Sequence, residues 1–260
     1  MCGRFSLTAS PEEVAEFFGL EEVEGFPPRY NIAPTQPILM IAGDIPRAPG
    51  DNRSNRRALL VRWGLIPSWV KDLEKFPLLI NARSETAAEK ASFRAAMRHR
   101  RVLVAASGFY EWHRPPKELK EKPVPYWIRP AHGGIVAFAG LMETYMSPDG
   151  AEVDTGAILT TRANAAISGI HDRMPVVIHP QDFARWLDCK AGEPRDVADL
   201  LKPAEEGFFE AIHVSDRVNK VANAGPDLQE RVAESPKPGN SRPQPKAEKP
   251  AAPPDQLKLF

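Results

Sequence analysis

Chemistry is concentrated at the start of the chain, which reads Met1-Cys2-Gly3-Arg4-Phe5. A second residue as small as cysteine favours trimming of Met1, which leaves an amine and a thiol on neighbouring carbons. Groups of these types titrate near about 7.7–8.0 and about 8.5, so both are partly available as nucleophiles around neutral pH. An aldehyde meeting the pair forms an imine with the amine, and the thiol then closes a five-membered thiazolidine. The thiol can instead attack an acyl carbon with the amine as its base. Taken alone, Cys2 reads as an incidental small residue at a frayed terminus.

Further blocks carry groups suited to the same work. Asn81-Ala82-Arg83-Ser84-Glu85-Thr86 sets an amide, a guanidinium, a hydroxyl and a carboxylate in a row. Ser107-Gly108-Phe109-Tyr110-Glu111-Trp112 places an acid among aromatics, and His171-Asp172-Arg173-Met174-Pro175 places a histidine beside an arginine. Arg29-Tyr30-Asn31-Ile32-Ala33-Pro34-Thr35-Gln36 is polar and turn-like. Arg62-Trp63-Gly64-Leu65-Ile66-Pro67-Ser68-Trp69 carries two tryptophans around a Gly/Pro turn. Without a common context, Asn81 reads as a turn former, Glu111 as a surface ion-pair partner and His171 as a structural histidine. Neither cysteine lies in a His/Cys cluster at metal-ligand spacing, so no metal or other cofactor is expected, and Cys189 is read as a bystander.

The elements that must position these groups are mostly short strands. Ser10-Pro11-Glu12-Glu13 opens a helix with a serine cap, proline at the first helical position and a glutamate closing a capping box. Val14, Phe17 and Phe18 share its apolar face. A second helix is predicted over residues 85–99, with Phe93 and Met97 at i, i+4, and short ones near 181–187 and 194–201. Strand-like runs fall at 38–42, 59–63, 102–106, 126–129, 135–139, 157–161, 176–178 and 209–214. Strands joined by short turns predict an α+β domain with a bent, mainly antiparallel, barrel-like sheet and flanking short helices.

Composition narrows the setting. The 34 basic and 34 acidic residues cancel, which excludes a simple polycation but not a local basic groove. Arg94, Arg98, His99, Arg100 and Arg101 offer such local charge. No apolar run approaches the roughly 18 residues of a membrane span, and no signal segment opens the chain. Two cysteines make no disulfide framework, so a cytoplasmic protein is expected, monomeric by default. Prolines number 27, about twice the usual share. Seven of them lie between Ala233 and Asp255, where no aromatic or β-branched residue occurs. Residues 1–232 are therefore predicted to fold as one domain and 233–260 to form a disordered tail. The apolar tip Gln256-Leu257-Lys258-Leu259-Phe260 is out of place on such a tether.

Six ordered blocks, Met-Cys-Gly-Arg-Phe, Asn-Ile-Ala-Pro-Thr, Trp-Gly-Leu-Ile-Pro, Asn-Ala-Arg-Ser-Glu-Thr, Ser-Gly-Phe-Tyr-Glu-Trp and His-Asp-Arg-Met-Pro, strongly resemble the SOS response-associated peptidase (SRAP) family. The resemblance implies an SRAP-like fold, shielding of abasic sites in single-stranded DNA, and a catalytic set of Cys2, Asn81, Glu111 and His171. On that reading Cys2 forms the crosslink, His171 moves a proton at the ring oxygen, Glu111 manages protons on the amine, and Asn81 orients by hydrogen bonds. Arg4, Arg83 and Arg173 are then candidate phosphate clamps, Trp69, Phe93 and Trp112 candidate base-stacking groups, and Thr160 a pocket wall. The tip residues Gln256, Leu257, Leu259 and Phe260 resemble a peptide that docks on the bacterial sliding clamp. Self-removal of Met1 through Cys2 fits the peptidase label. Two other readings stay open: a glutamine amidohydrolase with an N-terminal nucleophile, and a reversible single-stranded DNA binder. Gly140-Leu141-Met142 and Arg101-Val102-Leu103 depart from the family pattern away from the catalytic positions.

Overall fold

Twelve strands and four short α-helices organise the described residues, 2–43 and 54–232, of the computed structural model. The strands are β1 (Phe5–Leu7), β2 (Arg29–Ile32), β3 (Pro37–Ala42), β4 (Arg57–Trp63), β5 (Asn81–Arg83) and β6 (Arg101–Ala106). They continue with β7 (Gly108–His113), β8 (Val124–Pro130), β9 (Val136–Met146), β10 (Glu152–Arg162), β11 (Arg173–Pro175) and β12 (Phe209–His213). The helices are α1 (Pro11–Phe18), α2 (Arg94–His99), α3 (Ala165–Ser168) and α4 (Phe183–Leu187).

One sheet is antiparallel in the order β12-β8-β7-β1-β2. The other runs β11-β10-β4-β3-β6-β9, and β9 pairs back onto β10. That last pairing closes β10, β4, β3, β6 and β9 into a five-stranded barrel, which leaves those strands no common free edge. The only parallel ladders among the described residues are those of β10 with β4 and with β5. Inside, small residues face large ones. A Cβ on Gly156 of β10 would lie 2.4 Å from Cε of Met40 on β3, a strand that β10 does not pair with.

The two sheets share one chain turn and one core. Only Ser107 separates β6 of the barrel from β7 of the second sheet, and its N–H donates to Ser6 O at 2.7 Å. Phe5 of β1 meets Trp63 of β4 edge-on at 5.1 Å, and Phe109 of β7 meets Phe138 of β9 at 6.0 Å. Each such ring removes roughly 150–250 Å² from water, so these contacts help bind the sheets together.

Helix α1 has the predicted start: Ser10 Oγ accepts from Glu13 N at 3.2 Å and Glu13 Oε2 accepts from Ser10 N at 2.7 Å. The helix expected over 85–99 is shorter. Residues 85–93 form turns and α2 begins at Arg94, because Phe93 adopts φ −128° and carries no side-chain cap. The strand expected at 176–178 adds a bridge from Val177 to Phe138, while the ladder with β10 is made one step earlier by β11. Arg101 leaves the basic run altogether. Its 2% exposed side chain donates to Trp186 O, Met97 O and Gly192 O, closing the ends of α2 and α4. The tail beyond Val232, and with it the tip 256–260, lies outside the described residues.

Candidate active site

The carbonyl of Cys2 accepts a hydrogen bond from Asn81 Nδ2 at 2.8 Å, and that bond joins the two sheets at the N-terminus. Cys2 leads into β1, which pairs with β7 through Phe5–Phe109 and Ser6–Gly108. Tyr110 N donates to Arg4 O at 2.8 Å, extending the pairing outward past the end of the ladder. This brings the approach to β1 alongside Glu111 on β7. Asn81 arrives from the barrel as the first residue of β5, opposite Ile158 of β10.

Cys2 is fully buried and Glu111 is 3% exposed. Burial pushes the Cys2 thiol well above the usual thiol range, and the nearby negative charge of Glu111 pushes in the same direction. The thiol therefore stays protonated, its Sγ lying 3.7 Å from Arg4 O. Asn81 Oδ1 is buried with no hydrogen-bond partner among the described residues, a free acceptor beside the Cys2 backbone.

Thr160 sits at the centre of the barrel side of the site, fully buried. Its strand is flanked there by β5 on one edge (Thr160–Arg83) and β11 on the other (Thr160–Pro175). His171 stands two residues before β11, and its Nδ1 accepts from Arg173 N at 3.0 Å. Asp172 Oδ1 lies 2.9 Å from the same nitrogen. Sequence order alone scatters β5, β10 and β11, while the parallel ladder on one edge of β10 and the antiparallel one on the other set Arg83 and Pro175 on either side of Thr160.

The candidate DNA contacts divide. Arg83 and Trp69 are exposed, Trp69 at 57%. Trp112 is half-buried and donates to Asn219 Oδ1 at 2.8 Å. Arg173 is 7% exposed and gripped by both oxygens of Glu85 at 2.6 and 2.8 Å, with a further bond to Thr160 O. That grip holds the Glu85 carboxyl below the usual carboxylate range. Arg4 donates to Asn31 Oδ1 at 2.7 Å and Val218 O at 2.8 Å. Phe93 packs in the main core at 6% exposure. Arg173 and Arg4 are thus bonded within the fold and Phe93 is in its core, whereas Arg83 and Trp69 are exposed. Asn31, Glu85 and Asn219, which hold Arg4, Arg173 and Trp112 in turn, had no role readable in the sequence. Glu85 and Asn31 stood inside quoted blocks, whereas Asn219 carried no signal. No group of three or more side chains suited to a metal ion occurs among the described residues, and no helix there is long and apolar enough to cross a membrane.

A family model described as SOS response associated peptidase (SRAP) matches residues 1–221. The "Abasic site processing protein YoqW" of Bacillus subtilis (strain 168) is 39% identical over 233 residues, spanning 88% of this chain and 99% of that one. The "Abasic site processing protein HMCES" of Xenopus tropicalis is 28% identical over 272 residues, spanning 89% and 78%. A crystal structure of a protein from Bacteroides thetaiotaomicron superposes with a TM-score of 0.73 at 25% identity, covering 89% of this chain and 100% of that one.

Proposed function

Since the chain belongs to the SOS response associated peptidase (SRAP) family, we propose that it processes abasic sites in single-stranded DNA by forming a covalent adduct through Cys2. Relatives named for abasic-site processing support the substrate. The observation that carries the chemistry is the junction of Cys2, Asn81 and Glu111. There a neutral thiol, a carbonyl-anchoring amide and a buried carboxyl meet at the chain's first strand.

Removal of Met1 supplies the amine. His171 moves a proton at the ring oxygen as the sugar opens to its aldehyde. The amine attacks first, because the thiol is held protonated. Nitrogen bonds to the aldehyde carbon, and Glu111 relays the proton that lets water leave, giving the imine. The S–H then adds across the C=N bond, sulfur to carbon and hydrogen to nitrogen, so one water is released overall. Asn81 fixes the Cys2 carbonyl through Nδ2 and offers Oδ1 to the amine or the sugar. Ring closure removes the imine, whose electron demand would otherwise drive β-elimination and strand breakage.

Arg83 contacts phosphate and Trp69 stacks beside the lesion. Arg173, fixed by Glu85, shapes the wall at Thr160. The Cys2 thiol also serves removal of the residue before it. Residues 1–232 form the working domain, and Gln256–Phe260 dock on a sliding clamp. Denaturing gel electrophoresis with an abasic single-stranded oligonucleotide tests the reaction. Wild type gives a retarded, heat-stable band, and Cys2→Ala or a variant retaining Met1 gives none. A retarded band from Cys2→Ala, or affinity indifferent to the lesion and lost at high salt, refutes it.

A further inference from the structure

Four hydrogen bonds converge on Asn31, a 6% exposed side chain with no part in the reaction above. Its Oδ1 accepts from Arg4 Nη1 at 2.7 Å. Its Nδ2 faces the carbonyls of Val218, Lys220 and Asn223 at 3.3, 3.2 and 2.8 Å. Two amide hydrogens thus serve three acceptors, so the group is fully engaged. Arg4 Nη1 also donates to Val218 O at 2.8 Å, which closes a triangle of Asn31, Arg4 and residue 218. The same segment reaches the site from the other side, where Asn219 Oδ1 accepts from Trp112 Nε1.

Arg4 is two residues from Cys2 and Trp112 is adjacent to Glu111. Both reactive residues therefore stand beside groups tied, directly or through 218–223, to Asn31. Before Phe5 enters the ladder, the chain is otherwise held by the Arg4 carbonyl on Tyr110 N and the Cys2 carbonyl on Asn81. We infer that Asn31 is a positioning residue: through Arg4 and the 218–223 carbonyls it sets the separation of Cys2 and Glu111. It therefore governs the rate of the covalent step and not the affinity for DNA. The inference rests on the Cys2 reaction proposed above.

Single-turnover crosslinking of the full-length protein to an abasic oligonucleotide, across DNA concentrations, separates the two quantities. Asn31→Ala lowers the maximal rate by about tenfold or more, since misplacement by an ångström is enough for that, and leaves the half-saturating concentration within about twofold. Asn31→Asp keeps the acceptor for Arg4 but sets an oxygen against the carbonyls of residues 218, 220 and 223, so it slows crosslinking as well. On an Arg4→Ala background, Asn31→Ala costs less than about threefold more, because residues acting through one contact are non-additive. Asn219→Ala alters an exposed residue and cannot unfold the core. It loosens the segment from Trp112 and slows crosslinking about two- to fivefold at unchanged half-saturation.

Unchanged maximal rates in Asn31→Ala and Asn219→Ala overturn the inference, as does a rate loss matched by an equal rise in half-saturating concentration. Should Asn31→Ala fail to fold, Asn219→Ala decides. A wild type that forms no Cys2-dependent adduct overturns the reaction itself, and this inference with it. A competent wild type matched by Asn31→Ala overturns the inference alone.

Discussion

At the scale of single residues, burial and the neighbouring Glu111 both favour the protonated form of the Cys2 thiol. Replacing it with a hydroxyl keeps the amine and removes the ring-closing sulfur. Cys2→Ser should therefore retain amine-driven cleavage of abasic strands and lose the heat-stable adduct, read as shortened oligonucleotide without a retarded band. Stability carries the same signature. Below about pH 8.5 the thiol is protonated in both folded and unfolded chains. Above it, the unfolded chain releases the proton while the buried thiol, raised by desolvation and by Glu111, keeps it. Stability must then fall as pH rises through the ordinary thiol range. Between pH 7 and 10 the denaturant midpoint of protein retaining Met1 should decline more steeply than that of its Cys2→Ala counterpart. Parallel declines would show that the thiol is not buried as a neutral group.

Elements turn those residues into a site, and β7 is the one whose register matters most. A Cβ on Gly108 would lie 2.6 Å from Ile128 O and 2.7 Å from Trp127 Nε1, one of them backbone of the paired strand β8. Gly108→Ala must push β7 off β8 or off β1, at a cost of about 1–3 kcal/mol. Glu111, three residues along, moves with it. The expected result is a lower melting temperature together with slower crosslinking, and an unshifted melting temperature would show that the strands give without cost. The cap of α1 was legible because Ser10, Pro11 and Glu13 act within one turn. β5 and β11 were not, since three residues each carry no periodicity and are strands only by pairing with β10. Residues 85–93 looked helical by composition, but Glu85 is committed to Arg173 and Phe93 to the core. The four residues proposed as catalytic could be named as a set only through the family resemblance. Their frame of Asn31, Glu85 and Asn219 was hidden, because an amide or carboxylate bonded across tens of residues leaves no local pattern.

At the scale of the whole molecule, a closed barrel and an antiparallel sheet meet at one edge-to-face aromatic core. Cys2, Asn81 and Glu111 lie where strands from both approach, so neither sheet alone could form the junction. The reactive domain and the tip are separate in sequence, and their roles should separate in experiment. Deleting Gln256–Phe260 should abolish binding to an immobilised sliding clamp and leave crosslinking to short oligonucleotides unchanged. Clamp affinity that survives the deletion would remove that role from the tip.

The bond from Arg4 to Val218 spans 214 residues, and this separation sets an order of events during synthesis. At about 5–20 residues per second, roughly ten to forty seconds pass between the appearance of one partner and the other. Throughout that interval β1 lacks the segment that locks it, and until β5 and β7 emerge it lacks Asn81 and its sheet neighbour as well. On the proposed reaction, trimming of Met1 falls in the interval before that segment docks, and the length of the protein that follows Cys2 sets the time available for that trimming.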